Sequence, residues 1–323
     1  MRLSRFGLLF LIAASVFAGS SCGYYNRIMS RKDLVDGSVA YRERKFAEAE
    51  DLFRKAAGRD PDGSTLEGKT AQVFLARTLH SRYIGNRQDT SLAEAAITEY
   101  QKALKANPND QSSYKAVASL YENLQKTDEW QRWVTERSSN KSIEPQFRAE
   151  ALTALAAKQN TCANDISDTE ATKKTVKGAD GKEIYQFVKP ADQAQLDKMR
   201  ECVAKGQELI GQAMSAEPDA VKNAKSANLK SLTDEQLKQL NDQVKIFESA
   251  RSYRASITIQ ASRLAEMEGR TADKDRLKAE ADNYRKEYTE LGEASRAIQS
   301  EIEARVAAAE AAANANANAN AAK

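Results

Sequence analysis

The chain has 323 residues, 41% of them hydrophobic and 29% charged, with 5 prolines, 1 histidine and a formal net charge of +3. So near a charge balance gives no electrostatic footprint for nucleic acid, and a single histidine excludes a histidine-based metal cluster. Few β-branched runs and few prolines favour helices, in one sizeable domain or two small ones.

The first residues stand apart. Arg2 and Arg5 form a basic start, and Phe6 to Phe17 is an apolar run too short for a stable bilayer anchor, so residues 1–21 read as an export signal. One reading of its end is ordinary cleavage after Ala18, with Val16 and Ala18 as the small recognition residues. The other rests on Ala18-Gly19-Ser20-Ser21-Cys22, which resembles the lipobox of bacterial lipoproteins, whose cysteine is acylated and becomes the mature N-terminus. The cysteines are Cys22, Cys162 and Cys202. Lipidating Cys22 leaves an even pair in an oxidising compartment, whereas cleavage after Ala18 leaves an odd thiol, which favours the lipoprotein reading. No second apolar stretch approaches spanning length, so acyl chains would hold the mature protein to its membrane. Gly23 rather than Asp follows the cysteine, and by resemblance to the sorting pattern of Gram-negative bacteria this implies the outer membrane, facing the periplasm.

Three sets of residues then recur at one spacing: Ala49, Phe53, Ala56, Pro61; Ala96, Tyr100, Ala103, Pro108; and Gly206, Ile210, Ala213, Pro218. Small residues let a neighbouring helix approach, the large one fills the gap, and proline marks the exit from the helix. With Gly37 and Phe46 ahead of the first set, the pattern resembles the tetratricopeptide repeat, a 34-residue helix-turn-helix unit. The resemblance implies an all-α solenoid over 22–231 whose A helices line a concave binding surface.

The second unit places helix A at about 67–84, with Leu75, Leu79 and Tyr83 on one face, and helix B at about 92–106, opened by a capping box of Ser91 and Glu94. The third places Tyr114, Val117, Ala118 and Tyr121 on helix A, and Trp130 on helix B where the family has a small residue; it reads either as altered packing after this unit or an exposed anchor, or, with Trp133, as filling a wider gap. A fourth unit is split, with helix A from Pro145 to about Gln159 and helix B at about 192–216. Between them, at about 161–191, two β-prone runs flank Gly178-Ala179-Asp180-Gly181 and predict a small hairpin. Cys162 and Cys202 bracket it, and a disulfide between them would clip the hairpin to helix B.

Beyond Pro218 the repeat fades. Thr233 with Gln236 caps a long helix to about Glu268, Gly269 and Arg270 break it, and Thr271 opens another. Leu277, Ala281, Tyr284, Tyr288, Leu291, Ser295, Ile298, Ile302 and Arg305 follow a four-three spacing, a coiled-coil-like seam. It predicts an antiparallel helical hairpin over 232–306, most of it packed on Leu237, Leu240, Val244, Phe247, Ile257 and Leu264, with the last two turns of the seam left without an internal partner. Residues 307–323, rich in Ala and Asn, read as a disordered tail.

No phosphate loop, dinucleotide fingerprint, nucleophile elbow or zinc-protease motif is present, and the expectation is a protein that is not an enzyme and uses no cofactor. His80, in the middle of a packed helix, reads as structural. The exposed A-helix positions expected to line the groove are Arg31, Tyr41 and Arg42, then Phe74 and Arg77, then Lys115, Glu122 and Asn123. They suit an acidic segment or a C-terminal carboxylate, with Tyr41 and Phe74 gripping apolar side chains; ordinary solvated basic residues are the competing reading. The resemblance implies a lipid-anchored periplasmic adaptor or assembly scaffold that binds a protein or peptide. The alternatives are a structural subunit of an envelope assembly pairing through the C-terminal helix, and an enzyme acting on the cell wall.

Overall fold

The computed structural model describes the backbone of residues 5–321 except Ala179, and the side chains of 23–315 with the same exception. The fold is all-α and repeat-like, with one small β-hairpin inserted. The chain divides into two compact units, Met1–Trp130 and Gln131–Lys323.

The first unit contains α1 (Arg5–Arg42), α2 (Phe46–Gly58), α3 (Leu66–Gly85), α4 (Thr90–Ala106) and α5 (Gln111–Asn123). Each helix packs on the next, and α1 also meets α3. The recurring sets are the contact faces. Ala49, Phe53 and Ala56 are wholly buried, and so, to within a few per cent, are Ala96, Tyr100 and Ala103. Gly37 shows why a small residue is needed, because a Cβ there would lie 2.8 Å from Cε1 of Phe53. The turn after α2 is organised by Asp60, whose carboxylate accepts from the backbone N–H and hydroxyl of both Ser64 and Thr65. Thr65 in turn accepts from Gly68 N–H at 3.0 Å and caps α3.

The capping box expected at Ser91 is not formed. The helix α4 starts two residues earlier, at Thr90, with Asp89 at the N-cap position. Ser91 Oγ donates to Asp89, and Glu94 instead pairs with Lys126. An ion pair from outside the helix has replaced the reciprocal bond to its own N-terminus.

The division between the units falls inside α6 (Thr127–Ser139). Trp130 is buried, as a gap-filling ring should be, and Trp133 is partly buried.

The second unit contains α7 (Pro145–Ser167), β1 (Lys173–Lys177), β2 (Glu183–Phe187), α8 (Gln193–Ser215), the short α9 (Asp219–Lys222), α10 (Asp234–Met267) and α11 (Thr271–Ala321). The strands are antiparallel, with Lys173 opposite Phe187 and Lys177 opposite Glu183. Their turn closes through Gly178 N–H donating to Lys182 O at 2.7 Å, with Gly181 at φ +79°. Gly206, Ile210 and Ala213 face inward on α8, and a Cβ at Gly206 would meet Gln159 and Ile257 at 3.3 and 3.4 Å. The third set thus marks a close approach as the first does.

Several boundaries differ from those read in the sequence. The helix α7 runs on to Ser167 rather than ending near Gln159, because Ala163 and Ser167 are buried on its inner face and no breaker intervenes. Cys162 therefore sits within α7, and its Sγ lies 2.02 Å from that of Cys202 on α8, with the Cα atoms 6.1 Å apart. The bridge staples α7 to α8, in a cluster against which Phe187 of β2 also packs. The helix α10 packs on α7 and α8 as well as on α11. The Ala-rich segment from Ala307, expected to be disordered, continues α11 to Ala321. Alanine is the strongest helix former, and a helix already nucleated extends at little cost.

The capping box of Thr233 and Gln236 is present, with bonds of 2.9 and 3.2 Å. Gly269, at φ +73°, ends α10. All six expected partners on α10 are buried, and from α11 Ala281, Leu291, Ala294 and Ile298 meet them. Tyr288 is exposed because a straight helix drifts out of a strict seven-residue repeat, and Ala294 takes over the inner face. Arg305, the last seam position, turns outward to donate to the carbonyls of Leu229 and Leu232 at 3.0 and 2.9 Å.

One polar layer interrupts this apolar interior. Gln260 on α10 donates to Asn164 Oδ1 at 3.2 Å and accepts from Ser167 Oγ at 2.9 Å. Arg263 donates to Asn164 Oδ1 and Ser167 Oγ at 3.1 and 3.0 Å, and its guanidinium lies 4.5 Å from the centre of the Phe187 ring.

Candidate interaction surface

In the first unit the odd-numbered helices are joined by side chains reaching between them. The centre is an aromatic cluster. Phe53, buried on α2, stacks on Phe74 of α3 with ring centres 5.3 Å apart. Tyr41 of α1 meets Phe74 edge-on at 6.4 Å and Phe46 at 5.3 Å. The Tyr41 hydroxyl shares a hydrogen bond of 2.9 Å with Ser81 Oγ. Above Phe74 the Arg77 guanidinium lies 5.5 Å from the ring centre, and its Nη2 donates to Ser112 Oγ of α5 at 3.3 Å. Aromatic packing and a cation over a ring face each contribute about 0.5–1.5 kcal/mol beyond simple burial.

Polar links run along both sides of this cluster. Arg27 pairs with Glu67 at 3.0 Å, and Arg82 bridges to Glu50, which also holds Arg54. Near the end of α3, Arg87 lies 5.8 Å from the Tyr83 ring centre and donates to Asn123 Oδ1 at 3.5 Å. Burial raises Glu50, but the hydrogen bonds from Arg54 and Arg82 outweigh it and hold the carboxyl below the usual range. His80 lies behind the surface with Nδ1 3.5 Å from the Tyr100 hydroxyl. Burial lowers its pKa below the ordinary imidazole value, and burial lifts Tyr100 well above an ordinary phenol.

The expected groove residues therefore separate into groups. Tyr41, Phe74 and Arg77 come together as a half-buried cluster. Asn123 is drawn to Arg87, a residue the sequence reading passed over. Lys115 and Glu122 are exposed on α5. Arg31 is exposed and adds to the positive field at Glu67. Arg42 is exposed, and it lies five turns along α1 from Tyr24, so it shares the face of Tyr24 rather than that of Tyr41. Arg27, Phe46, Ser81, Arg87 and Ser112 were missed. A signal existed for four of them, since the bonds between α1 and α3 span 40 residues and those between α3 and α5 span 35 and 36.

The side chain of Cys22 and the signal at 1–21 lie outside the residues whose side chains are described. Among the described residues no helix is long and apolar enough to cross a membrane, and no group of three His, Cys, Asp or Glu side chains could hold a metal ion. Comparison with known proteins finds no family model and no curated sequence that matches the protein.

Proposed function

We propose that this chain is a lipid-anchored periplasmic adaptor of tetratricopeptide type, binding another protein through the surface formed by α1, α3 and α5. The observation that carries the reading is the Tyr41, Phe74 and Arg77 cluster, where a guanidinium sits against an aromatic face beside a second ring. A guanidinium flanked by apolar rings suits a carboxylate whose neighbouring side chain is apolar, as at the C-terminus of a partner protein or in an acidic segment. Lys115, exposed on the next odd-numbered helix, would extend the positive field toward such a partner. Acylation at Cys22 would hold this surface at the outer membrane.

A photo-crosslinking residue at Arg77 or Lys115 in intact cells tests the proposal. Capture of the same protein from both positions is the expected result. Recovery of none from either would remove the groove as the working surface.

A second reading draws on the end of α11. Val306 is 52% exposed, and with Leu237, Ile302 and Ala309 it lines a cavity of about 260 Å³ at the open end of the helical hairpin. This favours a structural subunit that pairs through α11. Sedimentation of the intact protein beside Val306→Asp separates the two, because an adaptor stays monomeric in both.

A further inference from the structure

The outward face of α1 carries an apolar stripe with no partner among the described residues. Tyr24 is 70% exposed, Ile28 49%, Val35 57% and Val39 40%. Their spacing of four, seven and four residues places them within a sector of about 60° and along about 22 Å of helix. Tyr25, also well exposed, borders the stripe at its start. The opposite face is the buried one, where Leu34, Gly37 and Ala40 meet α2 and Ser30 Oγ donates to Ala56 O at 3.1 Å. An exposed stripe of this length on a terminal helix is unusual in a water-soluble array, whose end helices turn polar faces outward.

The charges bordering the stripe are mainly basic. Arg31 and Arg42 are exposed along one edge, and Lys32 on the other edge is bonded to Asp36 at 2.8 Å. The stripe also begins two residues after Cys22, about 3 Å along the helix axis. We infer that this face of α1 lies on the phospholipid surface, with Tyr24, Ile28, Val35 and Val39 in the interfacial layer and Arg31 and Arg42 among anionic headgroups. The inference rests on acylation of Cys22 for its starting point, since an acyl group there holds the first turn of the stripe at the bilayer. The acyl chains anchor the first turn, and an amphipathic contact beside them adds apolar burial and fixes how the helix lies. Tyrosine rings favour the headgroup level, and each basic residue near an anionic surface adds attraction. A helix lying flat would also fix the orientation of the array, so the surface on α3 and α5 would be held at one angle to the membrane instead of swinging on its tether.

The test uses the acylated protein with Val35→Cys, labelled with an environment-sensitive fluorophore, in vesicles of phosphatidylethanolamine and phosphatidylglycerol. Lys55→Cys, on the exposed side of α2, is the control. Blue-shifted emission and protection from iodide at position 35, with neither at 55, is the expected result. Replacing Tyr24 and Val35 together by Ser in the Cys22→Ser protein should weaken residual vesicle binding on the order of tenfold. Full iodide access at position 35 while the protein floats with the vesicles would overturn the inference and leave the anchor standing. Protection that appears without vesicles and grows with protein concentration would also overturn it, in favour of a second copy on the stripe. Intact mass without an acyl group at Cys22 would instead remove the anchor from the proposed function, and the Cys22→Ser arm would still decide the stripe.

Discussion

Replacing Gly37 by Ala sets two effects of known sign against each other. Alanine inside a helix is favoured over glycine by about 1 kcal/mol, and nothing in the backbone of α1 at that point requires glycine. The added Cβ, however, would lie 2.8, 2.9 and 3.2 Å from three atoms of the Phe53 ring, whereas carbon atoms in contact prefer about 3.5–4.0 Å. Phe53 cannot yield easily, since it is wholly buried and stacked on Phe74. Overpacking of this kind costs about 1–3 kcal/mol, so the net change should be a loss of up to about 2 kcal/mol. Urea unfolding followed by circular dichroism measures it. The decisive comparison is the double variant with Phe53→Leu, in which a smaller side chain relieves the contact, so the two substitutions together should cost less than their separate costs combined. A Gly37→Ala protein more stable than the wild type, with no coupling to position 53, would refute the close approach of α1 and α2.

Asp60 offers a pH test. Partial burial raises its pKa, but the hydrogen bonds from Thr65 and Ser64 outweigh that and bring it down to about 2, below its ordinary 3.8. Its contribution to stability is therefore complete above the ordinary value and lost as pH falls through about 2. Discounted for partial exposure it amounts to about 1 kcal/mol, so Asp60→Asn should lower stability by that much at pH 7 and by much less near pH 2, in urea titrations at both. The Cys162 and Cys202 pair closes a loop of 40 residues. Replacing both by Ser should cost about 3–4 kcal/mol in unfolding without reductant, and alkylation of both thiols in unreduced native protein would show the bond absent. Arg305→Ala leaves the carbonyls of Leu229 and Leu232 to water. It should speed hydrogen exchange around 229–237 and lower stability by about 1 kcal/mol, with little effect on exchange in α1 to α5.

What the sequence discloses about this fold follows from which constraints are local. The small, large, small, proline sets are legible because close helix contact restricts residue size at fixed spacing, and Phe53, Tyr100 and Ile210 are all buried as that argument requires. The hairpin is equally local, since its glycines and β-prone runs are contiguous. The capping failure at Ser91 was not legible, because Lys126 competes for Glu94 from 32 residues away. The surface was readable only in part for the same reason. Phe74 and Arg77 are neighbours three residues apart on α3, but the meeting of Tyr41 with Phe74 is a contact between two helices that no local spacing sets. Arg42, one residue on from Tyr41, lies about 100° round α1 from it, so neighbours in sequence do not share a face. The helical continuation after Ala307 shows the reverse case, in which intrinsic propensity outweighs the lack of any large side chain to pack.

The polar layer of Asn164, Ser167, Gln260 and Arg263 acts as an index mark between α7 and α10. Apolar helix faces can slide by a turn and still bury similar area, so the grip of α10 on α7 leaves the axial setting under-determined. Four interlocked donors and acceptors do not tolerate that shift, because a slip of one turn would leave buried amide groups without partners. The setting passes outward, since Arg263 also lies against Phe187 and so ties the hairpin's position to the same notch. Sliding of α10 along α7 is thereby resisted at this layer by hydrogen bonds that the apolar faces do not supply.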